Sequence, residues 1–322
     1  MTIFESLNSS LTSPMVLSFV LGVAATLIRS DLKFPDGMYL GLTIYLLFAI
    51  GLKGGMKLSQ TDFSEFVMPG MGAIIMCTII PVWSFLALHK LARFDAINAA
   101  ALSAHFGSVS VVTFSQCLTY LESLNMTFEG FMPAILAIME VPAVLIALFI
   151  ASRYTSTDKD SNRQVIRELL TGKSSILLIG GIVIGYVGGT SGFAHVAPLF
   201  DSPFKGIVCL FLLEVGLVAG RRIGDLGKAG IKLIVFSLCI PIVNAFAGAW
   251  VAHATGLSVG GAVLFSVLCA SASYIAAPAA VRIALPAANP GYYLTASLAI
   301  TFPFNVTVGI PLYMQFVQFM YK

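Results

Sequence analysis

Ten stretches of this chain are each apolar enough to sit in a bilayer, and that limits the fold more than any other feature. A helix needs about 20 apolar residues to cross the hydrocarbon. The stretches run roughly 12–29, 37–59, 66–89, 97–121, 128–152, 174–192, 203–221, 230–254, 258–285 and 291–318. Only 10% of the residues are charged, against about 25% in soluble domains, so the polar surface needed to face water is missing. The expected class is an all-α membrane protein of about ten transmembrane helices, with the lipid bilayer as its first partner. The net charge of +3 is small and gives no footprint for nucleic acid. Cys77, Cys117, Cys209, Cys239 and Cys269 lie in apolar stretches without a CxxC pair, so they read as core residues. No basic residue precedes Arg29, so a cleaved signal peptide is not expected.

Lys and Arg set the orientation, because they accumulate on the cytoplasmic side. With the N-terminus outside, 14 of the 18 basic residues fall inside and Lys53, Lys57, Lys205 and Lys322 fall outside. Both termini are therefore expected outside. The polar segment 153–173 divides two sets of five spans, 1–152 and 174–322, and is expected to be cytoplasmic.

The two sets resemble each other. "AIGLKGGMKL" (49–58) matches "EVGLVAGRRI" (214–223), and "IIPV" (79–82) matches "CIPI" (239–242). "GSVS" (107–110) matches "ASAS" (270–273), and "AILAIMEVP" (134–142) resembles "ASLAITFP" (296–303). The order is kept at offsets of 160 to 165 residues. Five is odd, so the second copy enters from the opposite side. Inverted repeats of this kind build secondary transporters, with the binding site near the midplane between interrupted helices. No catalytic triad or metal motif is visible, so an enzyme is not expected.

Spans four and nine carry the interrupted character. Span nine has Ser271, Ser273 and Pro278, and a proline inside a helix removes a hydrogen bond. Span four has Gly107, Ser108, Ser110 and Thr113 but no proline. Two half-helix N-termini meeting at the midplane would hold a small anion on backbone N–H groups, with hydroxyls adding donors. The alternative is that these small residues only let helices pack closely. Glu140 and Glu214 are the acidic residues well inside spans. Glu140 is a candidate cation ligand, joined by Thr301 and Asn305, or a plain helix–helix hydrogen bond; Glu214 is also a candidate partner for Arg221. His105 reads as a packed polar residue or a switch. Trp83 and Trp250 read as interfacial anchors.

At these residues the chain resembles the sodium-dependent bicarbonate transporters of the cyanobacterial SbtA type. The stretch "ASASYIAAPAAVRIALPAANPGYYLTASLAI" (270–300) carries most of the likeness. "IGLKGGM" (50–56), "FGSVS" (106–110), "LTYLES" (118–123), "MEVPA" (139–143) and "RIGDL" (222–226) add to it. The resemblance implies two inverted five-helix repeats in a bacterial cytoplasmic membrane, a homotrimer, and control by a small PII-like cytoplasmic protein. It implies symport of bicarbonate with sodium as coupling ion, and no prosthetic group. By position, Gly107, Ser108, Ser110 and Thr113 would form one half of the substrate site, and Ser271 and Ser273 the other.

The chain also departs from that family. Val111 and Val112 stand where it commonly has Gly and Ser, Tyr274 where it commonly has Asp, and Glu140 where Asp is usual. The valines and the phenol remove polar ligands. They leave open a second small anion, such as a short carboxylate, and a non-transporting ligand sensor that reports through 153–173.

Overall fold

The computed structural model describes residues 11–154, 166–167, 169–224 and 226–322. Most of the central polar segment expected to meet a PII-like partner, 155–165 and 168, lies outside the described residues. Among the described residues every regular element is helical.

The first five apolar stretches form α1 (Pro14–Leu27), α2 (Asp36–Leu58), α3 (Phe63–Leu86), the pair α4 (Ala96–Gly107) and α5 (Val111–Ser123), and the pair α6 (Met132–Glu140) and α7 (Pro142–Ser152). The second five form α8 (Lys173–Phe200), α9 (Phe204–Ile223), α10 (Leu226–Ala254), the pair α11 (Val259–Ala270) and α12 (Ala276–Ala284), and the long run α13 (Pro290–Met320). Seven of these ten are long and apolar enough to cross a membrane. The other three differ for visible reasons. α1 has 14 residues. α9 carries Lys205, Glu214, Arg221 and Arg222 in its body. The ninth stretch is cut into helices of 12 and 9 residues.

Prolines shape the remaining irregularities. α6 ends at Glu140, two residues ahead of Pro142, which has no N–H to continue the ladder. α13 widens into π turns over Thr295–Thr301 and Asn305–Gly309. Each π turn contains the residue four before a proline, Pro303 or Pro311, whose carbonyl loses its partner.

Two helix pairs cross at glycines. A Cβ on Gly22 of α1 would overlap the Leu213 carbonyl of α9, and one on Gly216 would overlap Phe19 of α1. A Cβ on Gly51 of α2 would lie 2.6 Å from the Leu178 carbonyl of α8, and 3.0 Å separates the Gly181 Cβ position from Gly51 Cα. Without a hydrophobic drive between helices in lipid, such backbone contact is what holds them. Trp83 of α3 donates Nε1–H to Asn244 Oδ1 of α10 at 2.8 Å. It is thus an interhelical tie rather than the expected interfacial anchor, whereas Trp250 is exposed.

The broken spans sit at the centre. Nine of the twelve α4 residues and eleven of the twelve α11 residues are buried. α8 is the contrast, with Ile176, Ile179, Val183, Tyr186 and Val187 exposed.

Candidate functional site

The chain leaves the helix at Ser108 (φ −89°, ψ 161°) in span four and at Ser271 (φ −76°, ψ 162°) in span nine. The first half-helices, α4 and α11, both have 12 residues and both start on a side-chain cap. Asp95 accepts from Asn98 N–H at 2.9 Å, and Ser258 Oγ accepts from Gly261 N–H at 3.2 Å. The first break spans Ser108–Ser110 and the second Ser271–Ile275. Pro278 is not at the break. It lies in the first turn of α12, where an N–H has no helical partner to lose.

The breaks bind each other. Ser110 N–H donates to Ser271 Oγ at 2.9 Å, and Ser273 N–H donates to the His105 carbonyl at 2.8 Å. Backbone freed from one helix is thus satisfied by the other span, as buried non-helical backbone must be. His105 acts here through its carbonyl. Its ring stacks on Tyr293, with centroids 4.4 Å apart, in the packed setting that sequence allowed.

A cavity of about 10 Å³ lies between the breaks, lined by Ser110, Val111, Glu140, Ser174, Ser273, Tyr274, Ala276 and three further apolar residues. That volume is about one water. Val111 begins α5 and Ala276 begins α12, so both half-helix N-termini reach it. Their dipoles present positive ends there, and their first N–H groups have no intrahelical acceptor.

Of the six residues expected to touch substrate, Ser110 and Ser273 line the cavity. The others are held elsewhere. Ser108 Oγ donates to the Glu140 carbonyl at 3.0 Å. Ser271 Oγ donates to the Leu268 carbonyl at 2.8 Å while accepting from Ser110. Thr113 N–H donates to the Ser110 hydroxyl that caps α5, and the Thr113 side chain is buried outside the lining. Gly107 is a close-packing position, since a Cβ there would lie 2.5 Å from Pro81 Cγ.

The three candidate cation ligands separate in the same way. Glu140 lines the cavity together with Ser174, which lies in the first turn of α8. Thr301 Oγ1 donates to the Ser237 carbonyl at 2.8 Å, tying α13 to α10. Asn305 donates Nδ2–H to the Ala270 carbonyl at 2.9 Å and accepts from Tyr313 OH at 2.8 Å. Thr301 therefore ties α13 to α10, Asn305 supports the end of α11, and neither shares the cavity with Glu140.

Sequence reasoning missed Ser174 and the aliphatic lining. Ser174 follows the central polar segment, where nothing local marks a side chain that folds back to span five. The oxygen-bearing side chains along the cavity lining, Tyr274 aside, are those of Glu140, Ser110, Ser174 and Ser273. That set suits a hard monovalent cation beside helix N-termini that suit an anion. Among the described residues no cluster of three His, Cys, Asp or Glu exists that could hold a transition metal.

A comparison with individual curated proteins gives no match. A family model describing the Na+-dependent bicarbonate transporter superfamily matches residues 14–318, which takes in every helix from α1 to α12 and most of α13. With two broken helices meeting at a small cavity and a sequence that fits this model almost end to end, the chain belongs to the Na+-dependent bicarbonate transporter superfamily.

Proposed function

We propose that the protein is a secondary active symporter that carries bicarbonate inward with sodium, using the cavity between the two breaks as its binding site. The observation that carries this function is the meeting of the α5 and α12 N-termini on a cavity that also holds Glu140. The anion is received by first-turn N–H groups and by the hydroxyls of Ser110 and Ser273. The cation is received by Glu140 with Ser174. Each charge offsets the other in a dry site, so each ligand raises the affinity for its partner, and the coupling is reciprocal. At about 10 Å³ the cavity is closed around less than a bicarbonate ion, so the cycle requires a further conformation in which it opens.

The remaining assignments are part of the same proposal. Segments 1–152 and 174–322 are two inverted repeats joined by 153–173. The crossings support this, since α1 meets α9 and α8 meets α2, which are the exchanged pairs that a two-fold relation requires. The basic-rich ends of the helices face the cytoplasm of a bacterial cell, both termini lie outside, and three copies assemble in the membrane. The PII-like regulator stays a proposal about the central segment.

A second anion is favoured by one observation. Val109, Val111, Ile275 and Ala276 give the cavity aliphatic walls, which suit the methyl end of a short carboxylate. Uptake of labelled bicarbonate into proteoliposomes, with and without an inward sodium gradient, tests the first assignment. Acetate and propionate as competitors test the second. Sodium-driven uptake resisted by neither carboxylate supports bicarbonate. Ligand binding without flux in folded protein would instead mark a sensor.

A further inference from the structure

One residue borders two cavities. Tyr274 lines the small cavity between the breaks and also a groove of about 320 Å³ formed by Tyr39, Glu214, Val215, Val218, Arg221, Arg222, Leu294 and Leu298. The two spaces are stacked along α2, where Leu47 borders the small one and Tyr39 the large one. At a rise of 1.5 Å per residue these positions are about 12 Å apart. The groove runs along one face of α9, through Glu214, Val218 and Arg221–Arg222, opposite Leu294 and Leu298 of α13. Its basic end carries two guanidinium groups against one carboxylate, which suits a small anion.

Tyr274 is placed as a wall. It belongs to the non-helical segment of the second break, so no helical ladder fixes its backbone. Its ring packs edge-on to Phe302, with centroids 5.6 Å apart at 76°. Its hydroxyl oxygen is buried, with the Ser110 side chain as neighbour. Tyr274 therefore stands where the groove and the cavity both end, with its hydroxyl near Ser110 of the first break and Tyr39 of the groove.

The geometry points to Tyr274 as the partition between the binding cavity and the α9 groove, and to that groove as the route by which a small anion reaches or leaves the cavity. This rests on the transport function proposed above. Displacing the ring joins the two spaces. The phenol is a neutral plug that does not repel an anion.

The test reads access and needs no transport, so failure of the proposed function would not mimic failure of the partition. Full-length Ser273→Cys protein in detergent is labelled with a small anionic methanethiosulfonate. Peptide mass spectrometry follows position 273, so the native cysteines remain. With Tyr274 present, labelling is expected to be slow. Tyr274→Ala is expected to raise the rate at least tenfold, and Tyr274→Phe, which keeps the ring, to leave it within twofold. Adding Val218→Trp to fill the groove should return the Tyr274→Ala rate to the starting value. Buried Cys77 and Cys117 report an intact fold by staying unlabelled, and Tyr274→Val gives the same test if the alanine variant exposes them. Fast labelling with Tyr274 in place, no change on removing the ring, or no slowing by Val218→Trp would each overturn the partition.

Discussion

The two breaks have the same beginning and different ends. Each follows a capped half-helix of 12 residues and opens with an extended serine. In span four the chain re-enters the helix after Ser110, whose hydroxyl caps α5 through Thr113 N–H at 3.2 Å. In span nine it continues through Tyr274 and Ile275 before α12 begins, and Ile275 provides no side-chain cap. Ser273 Oγ, accepting from Ala277 N–H at 3.2 Å, acts in place of one. The first break is thus a short joint whose backbone is bound on both sides. The second adds two side chains, and both line the cavity. Change of ligand is therefore easier to accommodate in the second break, where Tyr274 and Ile275 stand.

The sharpest way to break the comparison is at its first shared position. Gly107→Ala places a Cβ 2.5 Å from Pro81 Cγ and 3.1 Å from Ala143 Cβ, and should cost about 3 kcal/mol. The matched change Ala270→Gly, at the end of α11, should cost only about 1 kcal/mol. Thermal unfolding of the two variants in one detergent checks the difference, and equal losses would mean that the joints pack alike.

Glu140→Gln should reduce sodium-stimulated uptake about tenfold, or about 1.4 kcal/mol of coupling, while leaving sodium-independent leak unchanged. Titration of uptake against sodium reads this, and a parental sodium response would remove Glu140 from the cation site. Next in size is the serine pair. Ser273→Ala, which alters the cavity wall, should raise KM for the anion about fivefold, close to 1 kcal/mol. Ser108→Ala should change KM less than twofold, because its hydroxyl is bound to the Glu140 carbonyl instead. Equal effects would mean that the Ser108 hydroxyl turns to the anion during transport. The smallest effect belongs to the outer caps. Asp95→Ala and Ser258→Ala should each destabilise by about 1 kcal/mol with KM unchanged. A KM shift in either would show that fraying of an outer half-helix reaches the break.

Much of this frame was legible in the sequence. Apolar stretches cannot hide: helices form in all ten, and seven of them are long and apolar enough to cross a membrane. The words shared by spans two and seven contain Gly51 and Gly216, and those glycines are where α2 and α9 meet their partners. The hydroxyls were harder. A serine in an apolar run marks an irregularity, but sequence does not say whether its hydroxyl bonds a nearby carbonyl, as Ser271 does, or caps a half-helix at the edge of a cavity, as Ser110 and Ser273 do. Thr301 and Asn305 fall to the same ambiguity, since their partners lie 64 and 35 residues away. Pro278 misled for a related reason: proline marks a helix boundary, but it stands just inside the start of α12 rather than at the gap. Ser174 had no local signal, because its place at the cavity depends on how α8 docks beside α6.

The most direct test of the central claim is an experimental structure of the protein with sodium and bicarbonate bound. Predicted is a planar anion against the first turns of α5 and α12, within hydrogen-bonding distance of the Ser110 and Ser273 hydroxyls, with a cation at Glu140. An anion bound elsewhere, with the space between the breaks still closed to about one water, would contradict it.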